Sequence, residues 1–228
     1  MTLKKLIVII PTCNEEDTIE SVIKQIPRNL AAYTKIVVID KSGDATPIKA
    51  RKAGALVLEQ SYGGLGTAFR LGIEMGIKLD ADVLVHIDGD LQYDPYEMPL
   101  LLEPILRGKA DMVLGRRIIQ YKMPPIKRAG NKFFSWFVSR LSGVTISDAQ
   151  TGYRALNRKA LEALLALNGD YTYTQESIII AAKRSIRICE VPVTFNKRTH
   201  GRSFISLFKY PFNVLVTLTR AYIRERVY

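Results

Sequence analysis

Short runs rich in β-branched residues alternate along the first half of the chain with longer stretches that mix apolar and polar positions at helical spacing. The runs predict strands at LIVII (6–10), KIVVID (35–40), ALVLE (55–59), DVLVHID (82–88) and DMVLG (111–115). Between them, the 3.6-residue period predicts helices over Glu15 to Gln25, Asp44 to Ala53, Gly66 to Ile77 and Pro95 to Leu106. Near-continuous apolar strands separated by amphipathic helices are buried on both faces. The expected class is therefore α/β, a Rossmann-like mostly parallel sheet with helices on both faces. Ligands of such sheets bind beyond the carboxyl ends of the strands, which directs attention to PTCNEE, DKSGD, DGDLQ and GRR.

The last stretch, SFISLFKYPFNVLVTLTRAYIRERVY, reads as one or two amphipathic helices broken near Pro211. Its aromatic and basic residues suit a membrane interface, or its apolar face docks on the protein's own core. The 228 residues, 47% hydrophobic, suffice for one sizeable domain, expected over 1–200, with 201–228 as an appended helical segment.

Charge changes the picture. Residues 1–111 carry 13 Lys+Arg against 16 Asp+Glu, and residues 112–228 carry 20 against 6. Between Asp111 and Asp148 there is no acidic residue, but there are Arg116, Arg117, Lys122, Lys127, Arg128, Lys132 and Arg140. Such a block favours an anionic partner: nucleic acid, acidic lipid or a phosphorylated substrate. Cys13 and Cys189 form no CxxC pair, so neither a disulfide framework nor a zinc site is suggested, and a cytoplasmic setting is expected. No signal peptide and no apolar run of membrane-spanning length is read, which leaves a soluble or peripheral protein.

VLVHIDGDLQYDP, Val83 to Pro95, runs a strand into three carboxylates. Asp88 and Asp90 offer oxygen ligands to a hard ion, Mg²⁺ or Mn²⁺, with Gln92 as a neutral donor. The other reading is that Asp90 and Asp94 cap the helix opening at Pro95. SYGGLGTAFRLGIEMG lacks G-x-G-x-x-G and reads as a turn into a helix closely packed at Gly72 and Gly76.

Six ordered segments resemble the family 2 glycosyltransferases, particularly the dolichol-phosphate mannose synthase and polyprenyl-phosphate sugar transferase branch. They are IIPTCNEE, VVIDKSGDAT, HIDGDLQYDP, GRR (115–117), SDAQTGYRALNRKAL (147–161) and HGRSFISL (200–207). The resemblance implies a GT-A fold, with a nucleotide-sugar half over about 1–115 and an acceptor half over about 116–200. It also implies a divalent metal and a nucleotide-diphosphate sugar donor, GDP-mannose favoured and UDP-glucose possible. The acceptor it implies is dolichyl or polyprenyl phosphate, with inversion at the anomeric carbon. The chain ends without the membrane helices common in that branch, so peripheral action at the cytoplasmic face of a membrane, or with a membrane subunit, is expected.

On this reading Pro11, Thr12, Asn14 and Glu15 shape the donor loop, and Asp40 accepts from base or ribose groups. Glu15 and Glu16 alternatively favour a helix N-terminus. The family commonly has two adjacent acids after that strand; here Lys41 follows Asp40. A phosphate monoester is substantially ionised at neutral pH and needs positioning more than deprotonation. Arg117 and Arg128 can hold it, with Arg116, Lys132 and Arg202 as further candidates, and Asp90 completes the expected catalytic set with Arg117 and Arg128.

Glu176, in YTYTQESIII, is either a general base for a hydroxyl acceptor or a helix N-terminal charge after a Thr174 cap. Asp148 either caps a turn or orients Arg154. His86 reads as a packed or edge residue, and His200 as a phosphate contact or a loop residue. A basic nucleic-acid-binding protein is the remote alternative, and a nucleic-acid partner is not expected: the aromatic RNA-binding signature is missing, and a carboxylate crevice would repel phosphate without metal.

Overall fold

The computed structural model describes residues 3–61, 64–167, 172–199 and 210–227. Seven strands are present: β1 (Lys5–Thr12), β2 (Tyr33–Asp40), β3 (Leu56–Glu59), β4 (Val83–His86), β5 (Met112–Ile119), β6 (Arg154–Asn157) and β7 (Ile188–Phe195). They form one sheet in the order β3-β2-β1-β4-β6-β5-β7, parallel throughout except for β6. The helices are α1 (Ile19–Gln25), α2 (Thr46–Lys52), α3 (Leu65–Lys78), α4 (Met98–Leu106), α5 (Pro125–Ser142), α6 (Arg158–Ala163), α7 (Tyr173–Lys183) and α8 (Tyr210–Val227).

Alternation along the strands divides the core in two. Ile7, Ile9, Val37, Ile39 and Leu84 face a cluster built with α3, α5, α6, α7 and α8. Leu6, Val8, Ile10, Val38 and Val85 face the other, built with α1, α2 and α4. The sheet is thus covered on both sides, which explains the unbroken apolar runs. α3 lies tight on it: a Cβ at Gly72 would come within 2.8 Å of Ile9, and one at Gly76 within 2.7 Å of Leu84. Pro192 sits in β7, an edge strand, where a missing ladder donor is tolerated.

The five expected strands are all present, but β6 and β7 carry no comparable apolar run. RALN takes its place because it is inserted antiparallel between β4 and β5, both of which pair with it. α1 starts at Ile19 rather than Glu15, since Thr18 N and Ile19 N both donate to the Glu15 carbonyl in a preceding turn. α8 is one helix from Tyr210, with Pro211 in its first turn, where the missing N–H costs nothing. Its Val214 and Leu218 are buried in the same cluster as Ile178 and Ile179 of α7, and Ala221 is buried as well. Arg184 pairs with Glu225 at 2.8 Å, and the Lys183 ammonium lies 4.6 Å from the Tyr222 ring centre. Val214, Leu218 and Ala221 of this helix thus take the protein core, while Ile223 is 57% exposed. Among the described residues no helix is long and apolar enough to cross a membrane.

Candidate active site

Because β1, β2, β4 and β5 run in one direction, Thr12, Asp40, Asp88 and Gly115 to Arg117 reach the same sheet edge. β6 runs against them, so the residues before it, 148–153, arrive at that edge too. β7, parallel to β5, delivers 196–198 there.

The first two loops are stitched by side chains. The buried Asp40 carboxylate accepts from Thr12 Oγ1 (2.7 Å), Ser42 Oγ (2.6 Å) and Ser42 N (3.1 Å). Asn14, in the left-handed region at φ 57°, donates its N–H to Ser42 Oγ (2.8 Å) and accepts from Gly43 N (2.9 Å). Three of the roughly four lone-pair positions of Asp40 are therefore used internally, which revises its expected direct contact with base or ribose: the carboxylate holds two loops in register. The Lys41 ammonium reaches the Ser61 carbonyl at 2.8 Å, beside the end of β3.

Glu15 lies four residues before α1, so it is not a helix-start charge. Its N–H donates to Thr46 Oγ1 at 2.9 Å, and its carboxylate is buried 3.3 Å from the Arg198 guanidinium. Burial pushes its pKa up to about 7, against the opposing pull of Arg198.

Asp88 and Asp90 differ sharply in surroundings. Asp88 accepts no hydrogen bond among the described residues. Gly152 is pressed against it: a Cβ there would stand 2.8 Å from Oδ2 and 3.0 Å from Oδ1. Burial first, and the neighbouring Asp90 second, raise the Asp88 pKa to about 7. Asp90 Oδ1 accepts from Gln92 N (3.1 Å) across Leu91, whose φ is 60°, a conformation bulky residues seldom adopt. Asp90 Oδ2 accepts from Arg198 Nη2 (2.6 Å) and Nε (3.1 Å). Asp94 alone makes the cap, accepting from Tyr96 N at 2.9 Å. Gln92 Nε2 donates to the Asn196 carbonyl at 3.0 Å, tying the turn to the segment after β7.

Among the described residues no group of three or more His, Cys, Asp or Glu can hold a metal. The donor set nonetheless suits a hard ion. Asp88 is a carboxylate without a donor, and Asp90 is balanced by an arginine. Two carboxylates this close, the half-buried Asp88 beside the buried Asp90, would be stabilised by a divalent cation, and Mg²⁺ commonly takes one or two carboxylates with substrate phosphates and water completing its shell.

On the other side, Arg117 meets Asp148 in a fork, Nε to Oδ2 at 2.7 Å and Nη2 to Oδ1 at 2.8 Å, with its backbone N–H donating to Oδ2 at 3.1 Å. Both side chains are 11% exposed. This corrects two expectations: the guanidinium edge meant for an acceptor phosphate is taken, and Asp148 orients Arg117 rather than Arg154. Arg154 is fully buried, donating to Ser177 Oγ (2.6 Å) and to the Thr151 carbonyl, with its guanidinium 5.7 Å from the Phe69 ring centre. Arg128 and Lys132 are exposed on α5, and Arg116 is half-buried on β5.

His86 is packed inside the sheet rather than at an edge. Its Nδ1 donates to the Gly152 carbonyl at 2.8 Å, while burial depresses its pKa to about 3 and keeps it neutral. It thereby supports the glycine that touches Asp88, a link with no sequence signature. Thr174 is no cap, since α7 already begins at Tyr173. Glu176, buried in the first turn of α7, accepts from Arg224 Nη2 at 3.3 Å, so α8 supplies a counter-ion to the carboxylate considered as a base. Arg198 was not foreseen; the available signal is a basic residue three places after a strand that ends at an acidic edge. His200 and Arg202 lie outside the described residues.

The model of the family described as glycosyl transferase family 2 matches residues 7–165. A dolichyl-phosphate hexose transferase of Haloferax volcanii is 36% identical over 199 residues, covering 86% of this chain and 85% of that protein. A UDP-N-acetylglucosamine–dolichyl-phosphate N-acetylglucosaminyltransferase of Methanococcus voltae is 29% identical, covering 85% of this chain and 86% of that protein. A low-salt glycan biosynthesis hexosyltransferase of Haloferax volcanii is 32% identical over 85% of this chain, which spans 48% of that longer protein. Among solved structures, glucosyl-3-phosphoglycerate synthase from Mycobacterium tuberculosis, in complex with Mn²⁺, UDP and glucosyl-3-phosphoglycerate, is similar with a TM-score of 0.74. The two are 23% identical, and the likeness covers 96% of this chain and 80% of that one. The architecture is accordingly of the GT-A type, and the chain belongs to glycosyl transferase family 2 and is a glycosyltransferase.

Proposed function

We propose that this glycosyltransferase moves a hexose from a nucleotide-diphosphate sugar to dolichyl or polyprenyl phosphate, with inversion, at the cytoplasmic surface of a membrane, alone or with a membrane subunit. The observation that carries the reading is the pair at the end of β4, the half-buried Asp88, which accepts no hydrogen bond among the described residues, and the buried Asp90, which accepts from Gln92 N and Arg198. The names of the Haloferax and Methanococcus relatives support a dolichyl-phosphate acceptor. GDP-mannose is the first donor to test and UDP-glucose the second.

Asp88 and Asp90, with the Gln92 carbonyl, would hold Mg²⁺ or Mn²⁺. That ion would neutralise the donor diphosphate and stabilise the charge growing on it. Pro11, Thr12, Asn14 and Glu15 form the loop against which the donor lies, fixed in place through Asp40 and Ser42. An oxygen of the acceptor phosphate attacks the anomeric carbon from the face opposite the leaving group. The new C–O bond forms as the bond to the nucleotide diphosphate breaks, and the electron pair leaves with that diphosphate. No proton need be removed from an ionised phosphate, so positive side chains that position it suffice. Arg128, with Arg116, Lys132 and Arg202, is assigned that role. Arg117, committed to Asp148, instead braces the 148–152 segment against the acidic pair.

The test is transfer of labelled sugar from GDP-mannose and UDP-glucose to polyprenyl phosphate in detergent, with and without Mg²⁺ or Mn²⁺. Organic-extractable, metal-dependent product from one donor supports the assignment. Donor turnover confined to hydroxyl acceptors would overturn it.

A further inference from the structure

We infer that Tyr93 and His86 are positioning residues of the metal site, aiming the Asp88 carboxylate by holding the Gly152 backbone at both ends. The two side chains flank the acidic turn in sequence, two residues before Asp88 and three after Asp90. In space they grip one residue. Gly152 N donates to Tyr93 Oη at 3.0 Å, and the Gly152 carbonyl accepts from His86 Nδ1 at 2.8 Å. The turn after β4 is thus wrapped round a peptide delivered by the chain entering β6. Asp88, carried on that turn, lies against the clamped glycine, where a Cβ would stand 2.8 Å from Oδ2.

Chemistry fixes the proton directions. Gly152 N–H can only donate, and the Gly115 carbonyl can only accept, which it does from Thr151 Oγ1 at 2.6 Å. The Tyr93 hydroxyl proton therefore points to Thr151 Oγ1, 3.2 Å away. A carbonyl cannot donate to His86, so Nδ1 carries the ring proton. A satisfied buried network of this kind settles on one geometry. The rings are held as firmly: Tyr93 stands 5.3 Å from Tyr153 and 4.9 Å from Phe195, and His86 stands 5.1 Å from Phe69 and 5.7 Å from Tyr173. Asp88 accepts no hydrogen bond among the described residues, so its orientation is set by what it touches, and what it touches is Gly152. Tyr93 and His86 are themselves buried and act on an ion only through that contact. The inference rests on the metal reading of Asp88.

The test is the Mn²⁺ affinity of the full chain, read from the paramagnetic resonance of free Mn²⁺ and set beside urea unfolding. Y93F keeps the ring and deletes the hydroxyl; affinity should fall about tenfold, a loss typical of removing the outer partners of a metal ligand. Y153F is the matched control. The Tyr153 hydroxyl is buried without a hydrogen-bond partner among the described residues, so its removal should leave the affinity at the parent's value. At position 86, stability and affinity should part. H86N keeps an amide donor near the place of Nδ1 but leaves a space beside Phe69 and Tyr173, so it should unfold at lower urea with near-parental affinity. H86L fills the space without a donor and should lose affinity about tenfold. Y93F at parental affinity, or losses that merely track the unfolding midpoints of the four variants, would overturn the inference. D88N separates it from the reading beneath it. Mn²⁺ binding that survives D88N refutes the metal assignment and the clamp with it, whereas loss in D88N with none in Y93F refutes the clamp alone.

Discussion

Arg198, just after β7, closes on Asp90, just after β4 three places away in the sheet order, Nη2 to Oδ2 at 2.6 Å, and the same guanidinium stands 3.3 Å from Glu15. One arginine after β7 thus neutralises carboxylates from the loops after β1 and β4. A cation arriving at Asp90 meets an arginine already there, and the two compete.

R198Q should therefore bind Mn²⁺ in the absence of donor about tenfold more tightly than the parent, equivalent to ~1.4 kcal/mol. Calorimetric titration of the full chain with Mn²⁺ checks this. Unchanged or weaker affinity would show that Arg198 supports the metal rather than competing with it.

Gly152→Ala places a methyl group where 2.8 Å separates it from Asp88 Oδ2. The short aspartate must turn away, and a displacement near 1 Å at a reacting centre costs on the order of 10²-fold in kcat/KM. Thermal melting should move by only a few degrees, since Asp88 makes no hydrogen bond to lose among the described residues. A variant with full activity would remove Asp88 from the donor site.

Breaking the Arg117–Asp148 fork by Asp148→Ala leaves a buried guanidinium unpaired and should cost about 3–5 kcal/mol of stability in urea unfolding. Arg117→Met combined with Asp148→Leu should recover much of that loss. If the double variant is no more stable than D148A, the ion pair is not what holds the 148–152 segment.

The Arg187 guanidinium, bonded to both Asp111 oxygens at 2.9 and 2.8 Å, holds that carboxyl well below the usual carboxylate range, with burial opposing. A depressed folded pKa means that this contribution is complete above the unfolded value near 4 and is lost as pH falls below it. Discounted for the solvent around Arg187, it amounts to about 1–2 kcal/mol. Stability of D111N should accordingly fall short of the parent's at pH 7 and converge with it by about pH 2. Parallel curves across that range would contradict the assignment.

Glu176→Gln and Arg224→Gln should act alike, loosening α8 from α7 while leaving substantial turnover on polyprenyl phosphate. Hydrogen exchange in α8, measured beside transfer rate, separates the cases. Loss of turnover in E176Q with α8 still protected would make Glu176 the base of a hydroxyl-directed reaction.

The first half of the chain was legible because its chemistry is local. LIVII, KIVVID and VLVHID are apolar on both faces and end in Thr12, Asp40 and Asp88, so strand, edge and acidic residue could be read together. The motif order was equally legible, since the spacing of P-T-x-N-E, D-x-D and T-G-Y-R lies in the chain itself. The second half resisted. RALN becomes a strand only because β4 and β5 leave a slot between them, and α1 loses its first turn to the fold of Glu15 against Thr46 and Arg198.

Charge pairing was decided wholly by tertiary structure. Sequence supplied the basic and acidic candidates for the site, but a guanidinium finds its partner across the sheet, not along the chain. Hence Arg117 went to Asp148, Asp90 to Arg198 and Glu176 to Arg224, pairs separated by 31, 108 and 48 positions. The amphipathic C-terminal segment was settled in the same way: composition marked it, and only packing decided that Val214 and Leu218 are buried while Ile223 is exposed. What the sequence by itself determined is the α/β class, the family and the acidic edge, because these depend on residue type and order. Which carboxylate stays unpaired there was decided by the folded chain, because that depends on distance and on the exclusion of water.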